Sequence, residues 1–127
     1  MKKDIKMSSK KVLIVDDSTV TRLMIKKIIT ESKPEFQFIE FDTADKASTY
    51  LETAEHVDLI TLDQNMPGAL SGLDLAEQIR NKLPLTKIIL ITANVQDAIR
   101  ERAAKIKIDF IDKPISPEKL LPLLGGL

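Results

Sequence analysis

Short apolar runs alternate with segments of helical periodicity along almost the whole chain. Runs rich in Val, Ile, Leu and Phe are typical of strands, and runs that are nearly continuously apolar are typical of strands covered on both faces. The predicted strands are residues 12–15, 36–41, 57–62, 87–92 and 109–112. The second run, "FQFIEF", alternates more strongly than the others, so we expect it at a flank of the sheet.

The segments between the runs predict amphipathic helices. Residues 18–31 and 94–106 place apolar side chains at helical spacing. The predicted apolar faces are Val20, Leu23, Met24, Ile28 and Ile29 in the first helix and Val95, Ala98, Ile99, Ala103 and Ile106 in the second. Ser71, with Asp74 in the following turn, is a predicted N-cap.

A last helix is predicted to begin at Ser116-Pro117 and to end at Gly125-Gly126, and Pro122 should shorten or kink it. The β-α-β-α alternation as a whole predicts an α/β fold with a doubly wound parallel sheet of five strands and five helices. With 127 residues and no internal repeat, the chain is expected to form a single domain over residues 11–127. Residues 1–10 are expected to form a flexible tail.

Charge and composition exclude several classes of function. Lys plus Arg and Asp plus Glu both number 19, which removes the usual electrostatic footprint of a nucleic-acid-binding protein. The absence of cysteine excludes disulfides, and the charged start "MKKDIKMSSKK" lacks the apolar region of a signal peptide. No apolar run reaches the length of a membrane span. We therefore expect a cytoplasmic protein without nucleic-acid or membrane partners.

Polar side chains stand where the predicted strands end. The first run ends in Asp16 and Asp17, the third in Asp63, the fourth in Thr92-Ala93 and the fifth in Asp112-Lys113-Pro114. Ligands of a parallel doubly wound sheet bind outside the carboxyl ends of the strands, where all these residues would converge. Taken alone, Asp16 and Asp17 also suit a helix N-cap pair.

Three carboxylates in one crevice repel each other and require a counter-charge. Oxygen ligands without His or Cys favour a hard cation such as Mg²⁺. A lysine and a threonine hydroxyl on the neighbouring rim suit the oxygens of an anion, and a phosphoryl group is the obvious candidate. Since no phosphate-cradling glycine loop follows the first strand, the phosphoryl group would be carried as an acyl phosphate on a carboxylate. Asp63, on the central run, is the best candidate for that nucleophile.

The segments "VLIVDDS", "LITLDQNMPG", "IILITA" and "DFIDKP" resemble the motifs of receiver domains of two-component response regulators, of the CheY-like type. The resemblance extends over residues 11–124. It implies a flavodoxin-like fold with strand order 2-1-3-4-5. It also implies a regulatory phosphoacceptor domain that catalyses only its own phosphorylation and dephosphorylation, rather than an enzyme acting on other substrates.

The resemblance also assigns residue roles. Asp63 matches the phosphoacceptor, and Mg²⁺ would be held by Asp16, Asp17, Asp63 and the backbone carbonyl of Asn65. The phosphoryl group would be contacted by Thr92, which is the switch hydroxyl, by Ala93 and by Lys113. The Lys113–Pro114 peptide bond is expected to be cis, and Phe110 occupies the position of the aromatic switch residue. Taken alone, Phe110 suits a plain core residue better, so its role as a switch rests on the resemblance.

The implied partners are a histidine kinase as phosphodonor and a downstream signalling protein, such as a flagellar motor switch component or a phosphotransfer protein. The downstream protein would bind the face formed by the fourth helix, fifth strand and fifth helix. The segment "VDDSTVTR" favours chemotaxis-type regulators. Two alternatives stay open: a receiver-like adaptor that works without phosphorylation, and a phosphorelay intermediate. A phosphatase of the haloacid dehalogenase type is disfavoured because "DDSTV" does not fit its D-x-D-x-[TV] pattern.

Four features depart from the family pattern. The loop "MPGALSGLDL" is one residue longer than the common form, and Ser71 stands where aspartate is frequent. Phe110 lacks the hydroxyl of a tyrosine. The positions that govern the phosphoryl lifetime in the family are Asn65 and Asn94 here, and neither side chain is a general base.

His56, expected at the end of the second helix, is expected to be solvated and has no assigned role.

Overall fold

Residues 9–127 are described by a computed structural model, in which five strands alternate with five helices. In chain order the elements are β1 (Lys11–Val15), α1 (Thr19–Ser32), β2 (Gln37–Phe41), α2 (Ala44–Leu51), β3 (Leu59–Leu62), α3 (Gly72–Lys82), β4 (Lys87–Thr92), α4 (Asp97–Lys105), β5 (Asp109–Asp112) and α5 (Pro117–Leu120). A 3₁₀ turn over Leu121–Leu124 follows α5. The predicted α/β alternation is confirmed.

The strands form one parallel sheet in the order β2-β1-β3-β4-β5. The register pairs Val15 with Phe41 on one side and with Leu62 on the other, and it pairs Thr92 with Asp112. The predicted strand order 2-1-3-4-5 is confirmed, and so is the position of β2, the "FQFIEF" run, at a flank of the sheet. Because all strands run the same way, their carboxyl ends meet along one rim of the sheet.

Alternate residues of each strand point to opposite faces, so each face of the sheet has its own apolar layer. Leu13 and Val15 of β1 pack with α2, α3 and α4 on one face. Val12 and Ile14 pack with α1 and α5 on the other. Burial of each such large side chain contributes on the order of 1.5–3 kcal/mol, and these two layers hold the rim in place.

The apolar face of α1 is only partly as the periodicity predicts. Ile28 and Ile29 are buried together with Ile25, but Val20, Leu23 and Met24 remain 66%, 55% and 39% exposed. The helix is capped by the Ser18 side chain, which accepts a hydrogen bond from the Thr21 amide. Helical spacing predicts which face of a helix is apolar, but not which part of its length packs against the sheet. In α1, the C-terminal half packs against the sheet.

The fourth helix also differs from its prediction. It begins at Asp97 rather than near residue 94, so Val95 lies before it and Ile106 is its C-cap. Of the predicted face, Val95 and Ala98 are exposed, Ile99 and Ile106 are half-buried, and Ala103 is buried. Gln96 at its N-cap makes no side-chain cap hydrogen bond.

The chain ends agree in part with the predictions. Pro122 lies in the 3₁₀ turn that replaces a longer α5, as expected of a shortened helix. The Lys10 carbonyl accepts a hydrogen bond from the Gln37 amide at 2.8 Å, so Lys10 belongs to the folded part rather than to the predicted tail. Residues 1–8 of that tail lie outside the described residues. His56 is exposed, as expected, but it follows α2 in the connection to β3.

Among residues 9–127, no helix has the length and apolar character that crossing a membrane requires.

Candidate functional site

The sheet register brings two aspartates together at the rim. Asp16 and Asp63 directly follow the paired residues Val15 and Leu62. The Asp63 amide donates to the Val15 carbonyl at 3.0 Å, and the Asp16 amide donates to the Phe41 carbonyl at the same distance. Both aspartates are buried, at 1% and 6% exposure, whereas Asp17 is exposed.

Asp16, Asp17 and Asp63 each place a carboxylate oxygen within 4.8 Å of those of the other two. Two backbone amides hold the buried pair in position. Asp16 Oδ1 accepts from the Ser18 amide at 2.8 Å, and Asp63 Oδ1 accepts from the Gln64 amide at 2.7 Å.

Lys113 supplies the positive charge at this cluster. Its Nζ lies 2.9 Å from Asp63 Oδ2 and 3.0 Å from Asp16 Oδ2. The Lys113 amide donates to the Thr92 carbonyl, and the following bond to Pro114 is cis, as expected. Lys119 Nζ donates to the carbonyls of Asp112 and Pro114, at 3.0 Å each, and so ties α5 to this turn.

Burial and ion pairing act in opposite directions on these groups. Burial raises the pKa of Asp16, and the Ser18 amide and Lys113 offset this only partly. Burial alone would lower the pKa of Lys113, but its contacts with Asp63 and Asp16 outweigh burial and raise that pKa. The lysine is therefore firmly charged, whereas burial disfavours the charged form of Asp16.

The donor set fits a hard divalent cation. Although Asp16 Oδ2 is near Lys113, it makes no directional hydrogen bond within the described part of the chain and is fully buried. A buried carboxylate oxygen without a hydrogen bond, beside two further carboxylates, is the arrangement that Mg²⁺ stabilises. Asp16, Asp17 and Asp63 are the residues that could hold it. Asn65 is exposed beside them, and its side-chain Oδ1 accepts from Asn94 Nδ2 at 2.9 Å.

Thr92 and Ala93 lie where β4 ends, next to Lys113 across the sheet register. Thr92 is 1% exposed, and its Oγ1 accepts a hydrogen bond from the Asn94 amide at 3.1 Å. Its hydroxyl proton is therefore available for another acceptor. Ala93 is exposed.

Phe110 lies in the middle of β5, further from the rim than the other predicted residues. It is half-buried against the apolar layer that contains α4. The guanidinium carbon of Arg100 lies 4.6 Å from the centre of its ring, and Arg100 Nε donates to the Val95 carbonyl. Arg100 thereby joins the aromatic ring to the connection that follows Thr92.

Sequence reasoning missed two residues that position Asp63. A Cβ at Gly72 would lie 2.0 Å from the Asp63 carbonyl oxygen, so only glycine allows α3 to start against the Asp63 backbone. Gln64 is buried, and its Oε1 accepts from the Leu73 amide at 2.8 Å. A glycine directly after a strong N-cap is the one signal that could have shown this close approach.

The loop after Asp63 is anchored to α2 by another residue that the sequence did not single out. The Asp45 carboxylate accepts hydrogen bonds from the amides of Ala69 and Leu70, at 3.0 and 2.9 Å. These two hydrogen bonds lower the pKa of Asp45. Gly68, at φ +113°, makes the turn that brings both amides to this side chain.

Fold and rim together define a flavodoxin-like domain with an acidic pocket of oxygen donors and a charged lysine. The sequence profile of the response regulator receiver domain family matches residues 12–124, so the chain belongs to this family.

Relatives of two different lengths resemble the chain. The chemotaxis protein CheY of Thermotoga maritima is 34% identical over 122 residues, which cover 91% of this chain and 95% of that protein. The cyclic di-GMP phosphodiesterase response regulator RpfG of Xanthomonas campestris is 38% identical over 113 residues, but the chain spans only 29% of its length.

Solved structures agree with the fold. A CheY-like receiver domain protein from Methanospirillum hungatei superimposes with a TM-score of 0.80 at 27% identity, covering 91% of this chain and 90% of that one. A chain of the CheX-CheY-BeF3-Mg+2 complex from Borrelia burgdorferi gives a TM-score of 0.77 at 26% identity, with 90% and 85% covered.

Proposed function

We propose that the chain is a phosphorylation-switched receiver in which Asp63 accepts a phosphoryl group from a histidine kinase. The observation that carries the proposal is the buried Asp63 carboxylate, which Lys113 contacts at 2.9 Å inside a cluster of three carboxylates. A structural ion pair needs one carboxylate, and the two additional ones only add repulsion unless the site has a ligand.

The reaction is a displacement at phosphorus. A carboxylate oxygen of Asp63 forms the new O–P bond, while the bond between phosphorus and the donor imidazole nitrogen breaks and leaves its electron pair on that nitrogen. Lys113 balances charge on the transferred oxygens, and Thr92 and Ala93 contact them. Mg²⁺ held by Asp16, Asp17, Asp63 and the Asn65 carbonyl would neutralise the negative charge of the site.

The switch that we assign to the phosphorylated state uses the residues beside β4 and β5. The Thr92 hydroxyl turns to the new anion, and Phe110 moves into the space that it leaves. This reshapes the face formed by α4, β5 and α5, to which the downstream protein binds. The half-buried position of Phe110 and the single buried residue of α4 support such a movement.

The partners and the pathway are part of the proposal. We assign one receiver domain to residues 11–127, and the 95% coverage of the Thermotoga CheY by the match supports a receiver of the CheY type. The CheY relatives support a role in chemotaxis, with a flagellar motor switch component or a phosphotransfer protein as the downstream partner. The Borrelia complex supports Mg²⁺ as the cation and BeF3 as a probe of the phosphorylated state.

Intact-protein mass after incubation with acetyl phosphate and Mg²⁺ tests the assignment. We expect one added phosphoryl group on the wild-type chain and none on Asp63→Asn or in the presence of EDTA. Asp112→Asn is the matched control, because Asp112 is an exposed aspartate at the same rim that contacts Lys119 instead of the cluster. It should be phosphorylated like the wild type.

The two alternatives give different results. A chain that gains no mass and does not respond to beryllofluoride would be an adaptor that works without phosphorylation. A phosphorelay intermediate would gain the phosphoryl group and then lose it to an added histidine phosphotransfer protein.

A further inference from the structure

Arg22 of α1 connects the acidic cluster to the edge strand β2. Its side chain is only 16% exposed, and all three of its nitrogens have partners. Nη1 donates to the backbone carbonyl of Asp16 at 2.6 Å, Nε to Glu40 at 3.0 Å, and Nη2 to the Thr19 hydroxyl at 3.4 Å. An arginine held at three points has a fixed direction.

Glu40 of β2 orients this arginine. Its second carboxylate oxygen accepts from Lys26 Nζ at 2.7 Å, so two cations of α1 share one carboxylate. The hydrogen bond from Lys26 lowers the pKa of Glu40, burial opposes this, and Arg22 adds to the lowering. Glu40 is thus a stable anion at neutral pH, directly before Phe41, whose carbonyl binds the Asp16 amide.

The peptide between Asp16 and Asp17 is the feature that Arg22 holds. Asp16 is fixed through its amide by Phe41 and through its side chain by the Ser18 amide. The Asp17 carboxylate, in contrast, has no hydrogen bond or ion pair to any described residue. Its direction therefore depends on the backbone that carries it, and the carbonyl preceding it is bound by Arg22.

We propose that Arg22 is a positioning residue for the cation site, which fixes the Asp16–Asp17 peptide and thereby aims the Asp17 carboxylate into the cluster. The inference rests on the proposed function, because it concerns the Mg²⁺ site of that receiver. Arg22 contacts a backbone carbonyl and no carboxylate of the cluster, so its effect is indirect.

If Arg22 acts mainly through its charge, its replacement should raise the affinity for Mg²⁺. If it acts by positioning the peptide, its replacement should lower that affinity. A cation close to the site repels Mg²⁺, so removal of its charge alone would tighten Mg²⁺ binding. Loss of the hydrogen bond to the Asp16 carbonyl would release the peptide and weaken Mg²⁺ binding. Lysine keeps the charge but cannot bind Asp16 and Glu40 at the same time.

Isothermal titration with Mg²⁺, on the full chain without phosphodonor, measures the effect. We expect Arg22→Gln and Arg22→Lys to bind Mg²⁺ about tenfold more weakly, the size expected for a lost hydrogen bond to a charged group. Glu40→Ala should fall between these variants and the wild type. Lys26→Gln is the matched control, since it removes a charge and a Glu40 contact from the same helix and should bind within about twofold of the wild type.

A second readout needs no cation. In metal-free protein, the amide resonances of Asp17 and Ser18 should shift in both Arg22 variants and stay unchanged in Lys26→Gln. Unchanged or tighter Mg²⁺ binding by folded Arg22→Gln, or full recovery by Arg22→Lys, would overturn the proposal. If the wild type binds no Mg²⁺, the proposed function itself fails; if it binds Mg²⁺ and is phosphorylated, but the variants behave like it, only the role of Arg22 fails.

Discussion

The helices that follow Asp63 and Thr92 are built in opposite ways. Helix α3 buries five residues and starts with a capping box, in which Ser71 and Asp74 each accept a hydrogen bond from the other's backbone amide. Helix α4 buries only Ala103, and its N-cap Gln96 makes no side-chain hydrogen bond. The element next to the proposed acceptor is rigidly placed, and the element next to the proposed switch hydroxyl is not.

Polar contacts compensate in part for the weak packing of α4. Arg102 reaches across to α3, with Nη2 2.9 Å from Asp74 and Nε 3.0 Å from Glu77. Arg100 covers the Phe110 ring on the other side. Exposed polar contacts can be replaced by contacts with water at a small cost in free energy, whereas exposing buried apolar surface to water costs much more. In the proposed switch, α3 would keep the acceptor site fixed, while the weakly packed α4 would be free to move.

The largest expected effect on stability comes from adding a side chain at Gly72, where α3 begins against the Asp63 backbone. In Gly72→Ala, the new methyl group would meet the Asp63 carbonyl, a backbone atom that cannot turn away. We expect a loss of about 3 kcal/mol or more in the free energy of unfolding, measured by urea denaturation, and weaker phosphorylation of Asp63.

Gly125→Ala is the control for the glycine replacement itself. Nothing lies within 4 Å of a Cβ at Gly125, and its φ is −58°, so this substitution should be neutral or slightly stabilising. Equal stability of Gly72→Ala and Gly125→Ala would show that α3 can shift, and the contrast between the two helices would be wrong.

The contrast between α3 and α4 also explains which elements of the fold could be predicted from the sequence. The strands and the N-cap at Ser71 are local patterns, and the structure confirms them, although β3 begins at Leu59 rather than at residue 57. The start of α4 was misplaced because its sequence has apolar spacing without a cap, so the pattern does not mark the boundary. For α1, periodicity could not show that Val20, Leu23 and Met24 would stay in water, since that depends on where the helix sits on the sheet.

Contacts between distant segments explain what the sequence could not show at the site. The residues at the strand ends were predictable, because a parallel sheet brings its carboxyl ends together whatever the details. The contacts of Arg22 with Asp16, of Gln64 with Leu73 and of Asp45 with Ala69 depend on loop paths that leave no periodic signal. Hydrogen bonds within one turn, such as the cap of α3 by Ser71, leave a local signal, whereas these contacts between distant segments do not.

An intermediate effect is expected from the capping box. Ser71→Ala removes the side chain that accepts from the Asp74 amide, which should cost about 1 kcal/mol and speed amide hydrogen exchange in the first turn of α3. Gln96→Ala, at the corresponding position of α4, should change neither quantity because no cap hydrogen bond is lost. A loss of similar size in both variants would contradict the difference in capping.

The smallest expected effect concerns the ion pairs between α3 and α4. Arg102 and its two partners are each 36–45% exposed, so Arg102→Gln should cost only about 0.2–1 kcal/mol at pH 7. Amides of α4 should nevertheless exchange faster. Lys105→Gln removes a charge from the same exposed helix and should leave the exchange of α4 unchanged.

The pH dependence of this last effect has a defined sign. The Ser71 amide, followed by Arg102, lowers the pKa of Asp74. A carboxyl group with a lowered pKa stabilises the fold above its unfolded pKa of about 3.9, and this contribution is lost as the pH falls through the lower folded value. The stability difference between wild type and Arg102→Gln should therefore be present at pH 7 and shrink below about pH 4. A difference that persists at acid pH would show that Arg102 holds α4 by packing of its aliphatic stem and not by charge, and α4 would then be fixed more like α3.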